Sequence, residues 1–359
     1  MAIIQSAKCK SQNDNVKCKI EKIKKITMQK ILITGGAGFI GSNFVHFWVK
    51  KHPQDKIVVL DALTYAGDTD NIKGVLKKIE FVKGDICNRK LVNDLLKNID
   101  IVVHFAAESH NTRAEKHPEI FYKTNVKGTR TLLEAATKTK LSKFIHISSD
   151  EIYGSIKNGF FKENDADRRF RYLKSDYPKS KAQADKLARE YAKKGVPVIV
   201  VRPTNNFGPR QHPEKALPRY ITNVFLGKKM PVWGRGLQVR DWLYVEDCCR
   251  AIELLIKKGK IGQAYNIAAN NKPEIRNRDV AEILCQAMKI DPKDWIEFVP
   301  DPRPQHDFRY GLSAQKIKRL GWRPSKDIKK LFAQTVAWYR QNPAWWKKLK
   351  AEAEKIYNK

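Results

Sequence analysis

The run Lys30-Ile31-Leu32-Ile33-Thr34 leads without a break into Gly35-Gly36-Ala37-Gly38-Phe39-Ile40-Gly41, and this junction limits the fold more than any other feature of the chain. A short β-branched apolar run reads as a buried strand. Glycines at 36, 38 and 41, with Gly35 ahead of them, allow a tight turn into a helix and a close approach of backbone to a ligand. The N–H groups and positive end of that helix suit a pyrophosphate. Asp61 follows about twenty residues further on, at the end of a second apolar run, where a carboxylate can bond an adenosine ribose diol. Its charge repels a ribose 2′-phosphate, so NAD is expected rather than NADP. Gly84-Asp85-Ile86 stand where adenine would be flanked, and Ala106-Ala107 where a ring can lie flat; both stretches are equally compatible with ordinary packing.

Further apolar runs at Lys56–Leu60, Ile79–Val82, Ile101–Phe105, Phe144–Ile147 and Val196–Val201 alternate with helical spacing such as Val126, Leu132, Leu133 and Ala136. Near-continuous apolar runs imply strands covered on both faces. The expected fold is therefore α/β, a Rossmann-type doubly wound parallel sheet. After Pro203, proline and glycine punctuate shorter runs, with helices expected near Asp279–Met288 and Lys326–Tyr339, which reads as a smaller mixed α/β C-terminal substrate domain. The expected division is 1–27 as a disordered basic extension, 28–202 as the NAD-binding domain, 203–346 as the substrate domain and 347–359 as a charged tail, with Trp345–Lys359 read as a charged helix free to fray. The chain is expected to cross back to the first domain around 240–268.

Seventy Lys+Arg against 38 Asp+Glu leave a formal charge of +32. A field of that sign suits nucleic acid or an acidic membrane. The lysine clusters, however, are scattered along the chain instead of forming one stripe, so a nucleic-acid partner is not expected. No apolar run approaches the roughly 18 residues of a membrane-spanning helix, and no membrane partner is expected either. Six cysteines without CxxC spacing read as free thiols in a reducing compartment, so the expected location is the cytoplasm. The eight histidines show no HExxH or comparable spacing, and no metal is expected.

Tyr177 and Lys181 stand four residues apart in a helical stretch, with Asp176 as a candidate N-cap and Pro178 in the first turn. That spacing places both side chains on one face. A tyrosine ionises near pH ~10, and a neighbouring ammonium and a cationic nicotinamide would both lower that value. The resulting phenolate can deprotonate a sugar hydroxyl as hydride leaves the same carbon. Taken alone, the pair is as compatible with a solvated helix face. After the run Phe144–Ile147 come Ser148-Ser149-Asp150-Glu151-Ile152-Tyr153-Gly154. A serine at a strand end can bond the reacting hydroxyl. The adjacent carboxyls would face opposite ways in a straight strand and reach one ligand only if the chain turns there; a solvated acidic turn is the alternative.

With these motifs in order, the chain resembles the extended short-chain dehydrogenase/reductase superfamily and, within it, the nucleotide-sugar 4,6-dehydratases, best those acting on dTDP-glucose. The resemblance runs from about Met28 to about Trp346. It covers TGGAGFIGSN, HFAAESH at 104–110, TNVKGTRTLLEAA at 124–136, SSDEIYG, YPKSK, NNFGP at 205–209, HPEKALP at 212–218, GRGLQVRDWLYVED at 234–247 and PRPQHDFRY at 302–310. It implies NAD at Gly35, Gly38, Phe39, Ile40, Gly41, Asp61, Asp85, Ile86, Ala106, Ala107, Tyr177 and Lys181. It implies Tyr177 as the base at carbon 4 supported by Lys181, Ser149 in place of the usual threonine, Asp150 as the acid at carbon 6 and Glu151 as the base at carbon 5. Asn206, Lys215, Arg240 and Arg303 would hold the nucleoside diphosphate, and His306 is a further candidate contact. The family also implies a homodimer through helices near 120–136 and 177–193. Asn111-Thr112-Arg113-Ala114 departs from the family's Val-Asp-Arg-Ser, keeping only the arginine. Two rivals remain at this point. A sibling epimerase or decarboxylase shares the glycines and the tyrosine–lysine pair but not usually Asp-Glu. A non-catalytic RNA-binding protein would account for the charge.

Overall fold

A computed structural model describes residues 28–109, 111–302 and 307–355. The expected extension 1–27, Arg303 and His306 lie outside the described residues. Six strands come first: β1 (Lys30–Thr34), β2 (Lys56–Asp61), β3 (Glu80–Lys83), β4 (Ile101–His104), β5 (Lys143–Ile147) and β6 (Val198–Pro203). Four short ones follow, β7 (Asn205–Phe207), β8 (Met230–Trp233), β9 (Val239–Arg240) and β10 (Trp242–Tyr244), before β11 (Ala264–Ile267) rejoins the main sheet. The main sheet has the order β11-β6-β5-β4-β1-β2-β3, and every neighbouring pair in it is parallel. The last two strands, β12 (Ile275–Arg276) and β13 (Ile296–Val299), pair with β9 and β8, while β10 pairs with β7.

Side-chain alternation explains why the strands read as continuous apolar runs. Ile31, Ile33, Ile57, Val59, Ile101 and Val103 fill one face of the sheet, under the helices Phe39–Lys51 and Val245–Lys258. Leu32, Val58, Leu60 and Val102 fill the other, under Arg89–Leu96, Thr129–Ala136 and Asp176–Lys193. Parallel strands place all their carboxyl ends on one edge, and the order reverses direction between β1 and β4, where such sheets open a crevice. β6 begins two residues later than its apolar run because the Val196 N–H closes the preceding helix on the Tyr191 carbonyl at 3.1 Å.

Beyond β6 the chain builds a second core from Phe207, Leu217, Ile221, Val232, Leu284, Phe332 and Trp346. It returns to the first core through Val245–Lys258 and β11, and again through Leu312, Ala314, Ile317 and Trp322. The segment from 347, expected as a charged tail, is described as far as residue 355 and is helical to Glu354. Residues Pro343–Glu354 form a helix that buries Trp346 and Lys350. Lys348 reaches Asp68 and Asp70 at 2.7 and 2.5 Å, and Lys350 bonds Asn223 and Glu354, both at 2.7 Å. Lys348 is thus anchored by carboxylates far away in sequence, and Lys350 by an asparagine of another helix, contacts that local sequence does not reveal.

One buried ion pair ties the site-bearing elements together. Arg202 on β6 is 1% exposed and grips Asp185 of helix Asp176–Lys193 through two bonds of 2.8 Å. Its remaining nitrogen donates to the Tyr153 hydroxyl at 2.6 Å and the Glu163 carbonyl at 2.7 Å. Burial alone would raise the Asp185 carboxyl, but the charge and bonds of Arg202, aided by Arg189, hold it below the usual carboxylate range. The pair's contribution is therefore present at neutral pH and is lost only as pH falls through that depressed value. Arg202→Leu leaves Asp185 buried without its main partner and should cost about 3–5 kcal/mol, measured by denaturant unfolding at pH 7. The double variant Arg202→Met/Asp185→Leu should recover most of that loss. A single-variant cost under about 1 kcal/mol would show that the hub is dispensable.

Candidate active site

The glycine turn lies at the carboxyl edge of the sheet, beside the crevice. Gly35 has φ +71°, and a Cβ there would stand 2.5 Å from the Ala106 nitrogen; one on Gly41 would stand 2.1 Å from the Gly35 carbonyl oxygen. Only glycine permits either approach. Gly38 instead caps the helix Phe39–Lys51 without a side-chain bond, so the first-turn N–H groups, at half-buried Phe39 and Ile40, are left for an anion. Asp61, 8% exposed, accepts the Ala37 N–H at 2.9 Å and the Leu63 N–H at 2.8 Å. Burial raises its carboxyl above the ordinary range. It braces the glycine loop from within, and each oxygen keeps a lone pair for a diol. Asp85 pairs with Lys123 at 3.2 Å, half-buried Ala106 and Ala107 follow β4, and the Ile86 side chain is committed to the core against Gly128. A cradle that no Cβ could enter, an uncapped helix start and a buried carboxylate fit a dinucleotide.

At the end of β5 the chain does turn. Ser149 is extended, and Asp150–Tyr153 is one 3₁₀ turn that the Ser149 oxygen caps by accepting the Glu151 N–H at 3.2 Å. This turn brings the two carboxyls to one place, which a straight strand would not do. The Ser149 hydroxyl also donates to Asp150 Oδ1 at 3.1 Å. Asp150 is 4% exposed, and its Oδ2 has no hydrogen-bond partner among the described residues. Burial, then the Glu151 charge, push its carboxyl up to about 8, so it carries a proton at neutral pH.

Tyr177 and Lys181 lie on the buried face of helix Asp176–Lys193, with Ser175 rather than Asp176 at the cap position. Tyr177 meets Phe121 edge to face with ring centroids 6.2 Å apart. The expected lowering of its phenol involves a cationic nicotinamide as well as Lys181; in the protein alone the balance runs the other way. Burial, then the Glu151 and Asp150 charges, raise it well above the usual range, and a hydrogen bond with Ser149 opposes them. Lys181 instead donates to the Ile147 carbonyl at 2.7 Å, fixing the helix to the end of β5, and burial lowers its ammonium to about 8. Beneath it, His104 and His146 sit side by side on β4 and β5 and are held neutral chiefly by burial.

The second core supplies the far wall. Asn206 donates to the Thr204 carbonyl at 2.9 Å, and its buried Oδ1 has no partner among the described residues. Lys215 opens the helix Ala216–Phe225 and bonds the Ser109 carbonyl at 2.6 Å, linking that helix to the loop after β4. Arg240 donates to the carbonyls of Val239, Asp307 and Phe308 and stacks 4.3 Å over the Tyr310 ring. It therefore orders the 307–310 segment. Tyr310, raised by burial and by the Glu151 charge, is a site neighbour that the sequence reading did not single out, although it ends the PRPQHDFRY stretch. Also missed was Asn125, which ties Glu108 to Ser180 with bonds of 2.9–3.1 Å, while Arg113, the position kept from the family's Val-Asp-Arg-Ser, lies 3.8 Å over Tyr65 and 3.2 Å from buried Glu214. Asn125 points inward because Tyr122–Gly128 winds as a wider π-helical turn, a departure that helical periodicity does not signal.

A nucleotide-binding sheet edge carrying a tyrosine, a lysine and two clustered carboxyls defines a class. The chain belongs to the NAD dependent epimerase/dehydratase family, whose model matches residues 31–268. It is 46% identical to the low-salt glycan biosynthesis protein Agl12 of Haloferax volcanii, over 82% of this chain and 93% of that protein. It is 42% identical to a dTDP-glucose 4,6-dehydratase of Streptomyces niveus, over 90% of this chain and 97% of that one. Among solved structures, DesIV, a dTDP-glucose 4,6-dehydratase from Streptomyces venezuelae with NAD and TYD bound, matches with a TM-score of 0.83 at 40% identity, covering 89% of this chain and 100% of that one.

The protonated state of Asp150 is directly testable. A carboxylic-acid band in the infrared difference spectrum should persist at pH 7, fade as pH rises through about 8, and be missing in Asp150→Asn. Because the folded value lies above the unfolded one, the unfolded state gains by ionising first. Asp150's contribution to stability should fall as pH rises from about 4 to about 8, and Asp150→Asn should remove that share of the pH profile relative to wild type. A carboxylate band for Asp150 at pH 6 would refute the assignment.

Proposed function

We propose that this chain is an NAD-dependent hydro-lyase that converts dTDP-glucose to its 4-keto-6-deoxy derivative. The observation that carries the reading is the buried Asp150, protonated at neutral pH beside Glu151 and close to Tyr177. Two carboxyls with separated ionisation can serve as acid and base in one site. The Gly35–Gly41 turn, the helix start after it, Asp61 and the Ala106-Ala107 bed hold the cofactor. The chemistry that NAD supplies when bound is reversible hydride acceptance, from carbon 4 and back to carbon 6.

The chain's own groups move the protons. Tyr177 takes the carbon-4 hydroxyl proton; in the protein alone burial and the Glu151 charge oppose the phenolate this requires, and the cationic nicotinamide would favour it. The 4-keto group acidifies the neighbouring C–H, and Glu151 removes that proton from carbon 5. Hydroxide leaves carbon 6 poorly without an acid, and Asp150 supplies the proton. Lys181 supports the tyrosine end of the site and holds the helix to β5. Asn206, Lys215 and Arg240, with Arg303, bind the diphosphate, for which guanidinium geometry is suited. A nucleotide-sugar epimerase or decarboxylase would leave the Asp150–Glu151 pair without a task.

We also assign a homodimer through the helices of residues 118–136 and 176–193, which pack against each other on one side of the sheet. We place the reaction in the cytoplasm, where a reducing medium suits the free thiols of Cys87, Cys248, Cys249 and Cys285. Among the described residues no helix is long and apolar enough to cross a membrane.

Incubation with dTDP-glucose should give a product lighter by one water in the mass spectrum; an unchanged sugar nucleotide would sink the reading. Tyr177→Phe keeps the ring against Phe121, so its melting temperature should change little while turnover falls by roughly 10²–10⁴-fold. Glu151→Gln should still form NADH when substrate is added, since it removes a charge that raises Tyr177, whereas elimination should slow by a factor on the order of 10²–10⁴. Stopped-flow absorbance would then show NADH accumulating. Elimination at the normal rate in that variant would return the pair to a mere acidic turn.

A further inference from the structure

Ala37 stands in the middle of the glycine turn, and both of its backbone polar groups are bonded to residues outside that turn. Its N–H goes to Asp61 at 2.9 Å. Its carbonyl accepts the Asn71 side-chain amide at 2.7 Å and the Asp68 N–H at 3.1 Å. A peptide unit is planar, so holding that carbonyl also aims the Gly38 N–H, which closes the turn on the Gly35 carbonyl at 3.2 Å. Gly38 then starts the helix Phe39–Lys51, whose first-turn N–H groups are left for an anion. The loop after β2 therefore braces the shape of the cofactor turn.

The brace is itself held from the far end of the chain. Asn71 is 3% exposed, and its Oδ1 accepts the Trp345 indole N–H at 2.9 Å, across 274 residues of sequence. An indole only donates and a carbonyl only accepts, so these two neighbours leave the amide one orientation. His46, on the helix that follows the glycine turn, meets the Asn71 carbonyl at 2.9 Å. One turn beyond Trp345, Lys348 bonds Asp68 and Asp70 at 2.7 and 2.5 Å, the carboxylates that flank the same loop. The Trp345 ring packs edge-on against Trp338 and Tyr339, with centroids 5.0 and 6.1 Å away, which fixes where its N–H points.

We propose that Asn71 and Trp345 are positioning residues for NAD: the helix Pro343–Glu354, docked on the loop after β2, holds the glycine turn in its pyrophosphate-binding shape through the hydrogen-bond chain Trp345–Asn71–Ala37. The proposal rests on the placement of NAD at that turn and is independent of the sugar and of the dehydration steps. Without the indole N–H, the buried Asn71 Oδ1 loses its donor and the amide is free to turn its N–H away from Ala37. Binding and docking are then linked in both directions. Whatever the helix contributes to NAD affinity, bound NAD returns to the docking of the helix.

The test is calorimetric titration of the full-length chain, freed of NAD, with NAD and with ADP-ribose. Trp345→Phe removes one N–H and keeps a ring against Trp338, and it should weaken NAD about tenfold. Asn71→Ala should weaken it at least as much. The double variant should bind no worse than Asn71→Ala alone, because both changes break one chain. Each loss should be the same for ADP-ribose, which carries the pyrophosphate without the nicotinamide. Unchanged affinity in Trp345→Phe, losses that multiply in the double variant, or a loss seen with NAD but not with ADP-ribose would each overturn the proposal. Wild type gives a second reading that needs no variant to fold. Added NAD should slow amide hydrogen exchange in 345–354 more than in the helix Asn277–Met288 of the second core, and equal slowing in the two would also refute it. Failure of the cofactor placement itself is separable, since wild type would then not bind NAD.

Discussion

The bidentate contact between Arg202 and Asp185 sits under everything the site needs. It fastens the helix bearing Tyr177 and Lys181 to β6, and through the Tyr153 hydroxyl it holds the turn bearing Asp150 and Glu151. Tyr153 in turn donates to Asn266 on β11, so the strand that returns from the second core is included. A desolvated guanidinium is costly unless all its donors are used. Here they meet a carboxylate, a hydroxyl and a carbonyl, so four elements must be in place together. The energetic demand of one buried charge thereby fixes the relative positions of groups that are far apart in sequence.

Burial also sets the chemistry. The site raises the acids Asp150 and Tyr177 and lowers the base Lys181, as a poorly solvated environment does to any charge. Within that trend Asp150, deeper than half-buried Glu151, is raised by burial first and by the neighbouring Glu151 charge second. Gly35 and Gly41 contribute from the other side, since their missing side chains let the cofactor turn press on β4 and on itself.

Arg240 illustrates how one residue acquires a structural task beside a binding one. Its guanidinium caps three carbonyls and stacks on Tyr310, so the 307–310 segment depends on it before any diphosphate arrives. Lys215 and Asn206 are similar, each bonded to a loop carbonyl at the sheet edge. Of the side chains proposed to hold substrate, Lys215 is the one whose bond joins the far wall to the loop after β4.

The sequence alone determined what depends on near neighbours: the strands, the glycine turn, the acid ending β2, and the four-residue spacing that puts Tyr177 and Lys181 on one helix face. Period and chirality decide these within a few residues, and the fold confirms them. Only the tertiary structure decided that Asp150 keeps its proton, that Lys181 serves the Ile147 carbonyl rather than the phenol, and that the helix Pro343–Glu354 is docked rather than fraying. It also decided that Asn125 and Tyr310 border the site. Protonation and pairing are set by desolvation and by charges brought together from distant segments. No local pattern records which segments will meet.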